Sequence, residues 1–378
     1  MGRDLKISLC LLALILICGS VASLSICPVK GESTIYIRAD GSVDPSDAPI
    51  RNTGNVTYTF TSDIFVSADG IVVERDNVVV DGDGYVLHGL GTGRQPEYAG
   101  IYLSGRVNVT IRNTQIKTFQ RGIKLLSSSN NSIIGNNVTG AVYEAIRLFS
   151  SSDNNIAENN LDGNYYGIWL FSSSNNNRVS GNNITANIYD GIRLFSSSNN
   201  SISRNDITSN VLNGIMLYIL SDNNSISENN MADNSIGILV SGSSGNMIIH
   251  NDFVENARQV YVEDSSQNIW DDVYPSGGNY WSDYLGTDGD SDGIGDTPYI
   301  IDSNNADNYP LMKPYNMQIP GDINQDGTVN IFDCVIVALA FGSMPSDPNW
   351  NIVADINGDE VVDIFDMVVV AVNFGETV

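Results

Sequence analysis

The sequence predicts an all-β parallel β-helix, a solenoid of short strands, followed by a small helical domain built on two acidic loops. Three observations carry this reading. A repeat of about 23 residues runs through the middle of the chain, apolar residues alternate with period two inside each copy, and an Asp/Asn-rich loop is duplicated near the C-terminus.

The first element is a targeting segment. Arg3 and Lys6 precede an apolar run from Ile7 to Cys18, and small residues follow at Ser20, Ala22 and Ser23. This run is short for a bilayer span and reads as a cleaved secretory signal over residues 1–23, so a secreted product with no integral membrane span is expected. Residues 24–60 read as an N-terminal segment and cap. Removal of the signal leaves Cys27 and Cys334, which is no disulfide framework.

The solenoid follows over residues 61–270. Copies of one pattern start at Gly100, Gly122, Ala145, Gly167, Gly191, Gly214, Gly237 and Gln259, 22 to 24 residues apart. GIRLFSSSNNSISRNDI from Gly191 is a representative copy. Its short alternations mean strands, and a unit this small buries its apolar face only by stacking on its neighbours. About ten coils are expected, with neighbouring strands about 4.8 Å apart. Asn is 45 of 378 residues, and 28 of these lie between Asn130 and Asn256. Asn131, Asn155, Asn177, Asn200 and Asn224 are expected one above another at a turn, hydrogen-bonded along the stack and tolerant of left-handed backbone.

Charge excludes one class of partner. With 44 acidic and 18 basic side chains the net charge is −26, so no basic face for nucleic acid is available. From Asp283 onward 17 acids face a single base, Lys313, and that concentration points to metal cations.

If Ile and Leu of each G-I-x-L pattern point inward, the x positions point out: Tyr102, Lys124, Arg147, Trp169, Arg193, Met216, Leu239 and Tyr261. Tyr143, Tyr165 and Tyr189 lie beside them. Aromatic rings stack on sugars and Arg or Lys pairs with uronate carboxylates, so Tyr143, Tyr165, Trp169 and Tyr189 are candidate polysaccharide-binding residues. Glu144 and Asp190, two coils apart, suit an inverting glycoside hydrolase, whereas Arg147, Arg193 or Lys124 suit a lyase as base or charge neutraliser. A non-catalytic binding or surface-structural module stands beside both. An acid or base with a perturbed pKa in a groove near Glu144, Asp190 or Arg147 would favour an enzyme, and a flat, uniformly solvated stripe the module.

The C-terminal loops are the most specific motif. GDINQDGTVNIFDCVIVALAFG from Gly321 returns at Ala354 as ADINGDEVVDIFDMVVVAVNFG, identical at 13 of 22 positions. Each holds twelve positions whose oxygens at 1, 3, 5, 7, 9 and 12 suit Ca²⁺. The first set is Asp322, Asn324, Asp326, the Thr328 carbonyl, Asn330 and Asp333; the second is Asp355, Asn357, Asp359, the Val361 carbonyl, Asp363 and Asp366. Position 6 is Gly327 in the first loop but Glu360 in the second, where positive φ is costly. A third run, Asp288, Asp290, Asp292, the Ile294 carbonyl and Asp296, follows the same spacing with Tyr299 at position 12.

The repeats, together with NVVVDGDGYVLHG from Asn77 and GGNYWSDYLGTDGDSDGIGDTPYIID from Gly277, resemble the right-handed β-helix proteins of the NosD-like and carbohydrate-binding/sugar-hydrolase group. Residues 271–315 are similar to that group's closing segment. The group's association with copper finds little support here, since Met216, Met231 and Met247 do not repeat in register and soft metals favour clustered Cys, His or Met. After a linker at 316–320, residues 321–378 resemble a type I dockerin. That resemblance implies calcium-dependent docking on a cohesin, with loop positions 10 and 11, Ile331 and Phe332 and then Ile364 and Phe365, as contact residues. The same pair twice implies two alternative binding orientations.

Overall fold

The computed structural model describes residues 33–90, 97–264, 267–315, 321–324 and 328–377. The predicted signal over 1–23, the linker 316–320 and the ligand Asp326 lie outside them. Each coil gives one strand to each of three parallel sheets. The widest sheet carries the long strands, among them Arg121–Leu126, Glu144–Phe149, Tyr166–Phe171 and Asn213–Tyr218. The second and third sheets are built mostly of three-residue strands such as Ser201–Ser203 and Asp206–Thr208.

Register follows from the core. Ile123, Ile146, Ile168, Ile192, Ile215 and Ile238 stack inward on the wide sheet, with Leu125, Leu148, Leu170, Leu194 and Leu217 two residues on. A slip by one residue would turn every one of these buried side chains to solvent, so the pairing is strongly specified. Small residues precede each inward Ile because there is no room: a Cβ on Gly167 would lie 2.4 Å from the Gly191 carbonyl oxygen and 2.6 Å from Ile184. The ladders begin at Ile35–Ile37, which pairs with Ile71–Val73, and continue to Tyr280–Trp281. They thus extend past the expected 61–270 at both ends, where the Gly-Ile-x-Leu signature is absent and only brief alternation remains.

Asparagine ladders close the turns, three of them among the described residues. Asn131, Asn154, Asn177, Asn200, Asn224, Asn246 and Asn268 form the first, each side-chain amide donating to the next Oδ1 at 3.0–3.1 Å. The ladder member in the second of these coils is Asn154, not Asn155, whose side chain lies on a strand opposite Ser132 and Arg178. Further ladders run from Asn136 to Asn279 and from Asn164 to Asn256. Up to the closing coil, the left-handed residue is the one before the ladder Asn: Asn130, Asp153 and Asn176 in the first ladder, Gly135, Glu158 and Gly181 in the second. Several are neither Gly nor Asn, so the buried ladder dictates the backbone there, against a local cost of about 1 kcal/mol or more per residue.

Beyond the last coil, the closing segment ends the first ladder. Asn305 accepts from the backbone N–H of Asn268 and from Trp270 Nε1, both at 3.0 Å. The C-terminal domain has two helices, α1 (Ile331–Ala340) and α2 (Ile364–Val372), packed over Val329, Val337, Ala340, Ala354, Val362 and Val370. Among the described residues no helix is long and apolar enough to cross a membrane.

Candidate functional site

The outward row of the wide sheet is in register. Tyr102, Lys124, Arg147, Trp169, Arg193, Met216, Leu239 and Tyr261 occupy successive coils, each half-buried. Arg147 and Arg193, on the coils either side of Trp169, lie over its ring at 5.3 and 5.2 Å from the centroid. Guanidinium groups from both neighbouring coils therefore pack on the indole, whose Nε1 is buried. Lys124 sits 4.9 Å from the Tyr102 ring centre. Burial, and then the charge of Arg121, push its ammonium below the ordinary lysine range.

Behind this row lies a second one at the strand starts: Arg121, Glu144, Tyr166, Asp190 and Asn213. Glu144 is 1% exposed and sits between Arg121 (2.8 Å) and Arg147 (3.3 Å). The Arg121 approach is a close ion pair without hydrogen-bond alignment. Asp190 is equally buried, accepts from Asn213 Nδ2 at 2.6 Å and pairs with Arg193 at 3.6 Å. Burial raises its pKa. Glu144 and Asp190 are thus two coils apart as expected, with Tyr166 between them in the row. Each is paired with the arginine three residues on. Tyr166 was not singled out by sequence, although the fixed three-residue spacing of Glu144–Arg147, Tyr166–Trp169 and Asp190–Arg193 is its visible signal.

Tyr165 and Tyr189 pack with their rings tilted and centroids 4.4 Å apart, Tyr166 packs at 5.1 and 5.3 Å from them, and Arg121 lies over Tyr143 at 5.2 Å. A parallel row of Phe149, Phe171, Phe195 and Tyr218, centroids 5.2 to 5.5 Å apart, lines the other end of the strands. Arg193, Trp169, Tyr165 and Tyr189 thus form one continuous polar–aromatic surface, with Lys124, Arg147 and Tyr143 at its other end.

The acidic loops have a shared construction. Asp333 and Asp366, at position 12, are fully buried. Asp333 Oδ1 accepts from Ile323 N (2.8 Å) and Asn324 N (3.1 Å), and Oδ2 from Asn330 N (2.8 Å). Asp366 repeats this with Ile356, Asn357 and Asp363 at 2.8, 3.2 and 2.7 Å. Position 9, Asn330 or Asp363, caps the following helix in a reciprocal capping box. Asp355 accepts from Glu360 N and Asp359 N. The donor set is oxygen throughout and fits a hard cation. Glu360 has φ +66°. Ile331, Phe332, Ile364 and Phe365 all face solvent in the first helical turns. In the third loop the carboxylate oxygens of Asp288, Asp290 and Asp292 lie within 4.8 Å of one another, Gly293 has φ +89°, and Asp296 accepts from Gly289 N at 2.8 Å.

Fold and loops together define a parallel β-solenoid joined to a calcium-binding loop–helix domain. Residues 46–286 match the family described as periplasmic copper-binding protein (NosD), and residues 320–374 match the dockerin type I domain. The chain belongs to the NosD family and carries a type I dockerin, a domain that binds calcium and docks on cohesins. Relatives include probable ABC transporter binding proteins NosD of Pseudomonas aeruginosa and Stutzerimonas stutzeri, 44% and 43% identical over 82 residues. The matched stretch is 21% of this chain and only 19% and 18% of those proteins. Among solved structures, the periplasmic alginate epimerase AlgG is similar at TM-score 0.40 and 15% identity, over 65% of this chain and 82% of that one. PfbA, a surface adhesin of Streptococcus pneumoniae, is similar at TM-score 0.40 and 18% identity, over 57% and 59%.

The described residues do not fit the copper of the family description. Met216 faces out from the wide sheet, Met231 is in the core of the third and Met247 lies on the second. His250 stacks on Tyr315, and His88 contacts Thr118. No soft-donor cluster forms among them.

Proposed function

We propose that this is a secreted β-solenoid that binds polysaccharide on its wide sheet and is held on a cohesin-bearing partner by its calcium-loaded dockerin. The observation that carries the binding reading is the in-register row of Lys124, Arg147, Trp169 and Arg193 with Tyr165 and Tyr189 beside it. Such a row offers one recognition group per coil to a polymer. Calcium sits in the two dockerin loops, on the residues at positions 1, 3, 5, 7, 9 and 12, and in the loop from Asp288 to Asp296. Ile331, Phe332, Ile364 and Phe365 supply the apolar anchors for the cohesin.

Binding is favoured over cleavage because Glu144 is locked between two arginines beneath the surface. A second reading, hydrolysis, draws on Asp190, whose raised pKa suits a proton donor. Incubation of the calcium-loaded protein with neutral and uronate polysaccharides, following retention, reducing ends and unsaturated products, separates these. Retention without product is the expected result; reducing ends lost in Asp190→Asn would establish hydrolysis, and no retention on any polymer would end the polysaccharide reading.

A further inference from the structure

We propose that the outward row binds an anionic, uronate-bearing polysaccharide lying along the solenoid axis, its carboxylates on Lys124, Arg147 and Arg193. This rests on the polysaccharide reading above and adds the chemical class and the direction of the chain.

The charge arrangement carries the inference. In a chain of net charge −26, three cations share one outward row, and the acids that pair with two of them lie underneath. Arg147 turns Nη1 inward to Glu144, and Arg193 turns Nη1 inward to Tyr166 and Asp190. Nε of each arginine and Nε1 of Trp169 between them are buried in the packing of the row, so the outer parts of the two guanidinium groups are what a ligand meets. Lys124 has no carboxylate within ion-pair distance among the described residues. The partly exposed guanidinium groups of Arg147 and Arg193 and the Lys124 ammonium therefore set positive charge along the row, which suits carboxylate oxygens better than the apolar face of a sugar. Glu97 is the exposed acid nearby, and Arg121 occupies it.

Spacing gives the direction. Coils recur about every 4.8 Å, close to the length of one pyranose in an extended chain, so a polymer laid along the axis meets successive rows with successive sugars. A polymer laid across the sheet would meet only one of the three cations.

The test uses full-length, calcium-loaded protein in titration calorimetry with polygalacturonate, polymannuronate and polyglucuronate, a methyl-esterified polygalacturonate, a neutral glucan and a sulfated glucan. The expected result is binding of at least one polyuronate, weakened by salt and at least about tenfold by esterification. Lys124→Gln and Arg193→Gln each weaken it about tenfold, the loss of one charge-assisted contact, while Arg178→Gln on the second sheet changes nothing. Lys124→Gln keeps the test open if Arg193→Gln, which removes the ion pair of buried Asp190, fails to fold. Equal binding of esterified or neutral polymer overturns this inference but leaves the polysaccharide reading standing. Preference for the sulfated glucan, or equal weakening by Arg178→Gln, also overturns it. Binding of no polymer removes both.

Discussion

Asp307 Oδ2 accepts the indole N–H of Trp281 at 2.8 Å, and the same oxygen accepts the backbone N–H of Asn279 at 2.7 Å. One carboxylate thereby ends the second asparagine ladder and fixes the tryptophan that plugs the solenoid core. Trp281 in turn stacks on Phe253 and Tyr299, both at 4.3 Å and nearly parallel. Asn305 and Trp270 repeat the device at the end of the first ladder, so the conserved geometry of a coil is continued by the closing segment without a further coil.

Burial pushes the Asp307 carboxyl up to about 6, although three N–H groups donate to it. A raised folded pKa means the folded state holds the proton more tightly than the unfolded chain. The contribution to stability is full below about 4 and is lost as pH rises through about 6, up to about 3 kcal/mol in all. Melting temperatures of the wild type and Asp307→Asn from pH 4 to 7 test this. The wild type should lose ground to the variant as pH rises, and parallel profiles would refute the assignment.

The ladders predict a sharp contrast between two asparagines of neighbouring coils. Asn205 is buried, donates to Val179 O, Ser203 O and Asn229 Oδ1, and accepts from Asn182 through two donors. Asn205→Ala should cost about 3 kcal/mol by leaving these groups unpaired in the interior. Asn183 faces solvent on its strand, and Asn183→Ala should stay within about 0.5 kcal/mol. Urea midpoints decide it: similar shifts for both variants would mean the ladder is not what holds the turn.

The solenoid and its inward and outward alternation were legible because period-two patterning and a fixed repeat length leave one register that buries every Ile. The ladder was read one residue off in one coil because Asn154 and Asn155 are chemically identical; only the alternation of the following strand distinguishes them. The left-handed positions were legible only in part, since they fall on Glu158, Ala186 and Arg204 as well as on Asn and Gly, and the neighbouring coil imposes the conformation. At the candidate site, the row Lys124, Arg147, Trp169 and Arg193 followed directly from sequence. The burial of Glu144 and Asp190 beneath it did not, because whether a residue at a strand start turns in or out depends on the bend of the coil, and periodicity does not encode that bend.

Glu360 at φ +66° leads to the prediction that the second calcium loop is the weaker one. Chelation should remove helical signal from α1 and α2 while leaving the melting of the solenoid in place, since the two have separate cores. Glu360→Gly relieves about 1 kcal/mol of backbone strain and should tighten calcium at that loop about fivefold. Calcium titration of the two proteins measures the difference, and unchanged affinity would show that the strain is not coupled to the metal.

The repeated anchors lead to a prediction about docking. Ile331 and Phe332 are 60% and 65% exposed, and Ile364 and Phe365 are 57% and 63% exposed, each pair opening a helix immediately after a loop of the same construction. Val335 and Leu339 continue the apolar face of α1 as Val368 and Val372 continue that of α2. If a cohesin docks on these residues, either helix would offer it the same Ile–Phe pair and valine, with Val372 standing where the first helix has Leu339. Exposed aromatic anchors of this kind each contribute about 2 kcal/mol or more to an interface. Replacing either pair by Ala should leave docking nearly intact, because the other orientation remains, while replacing all four should abolish it. Calorimetry against a set of cohesins measures this, and loss of binding from one pair alone would show a single orientation.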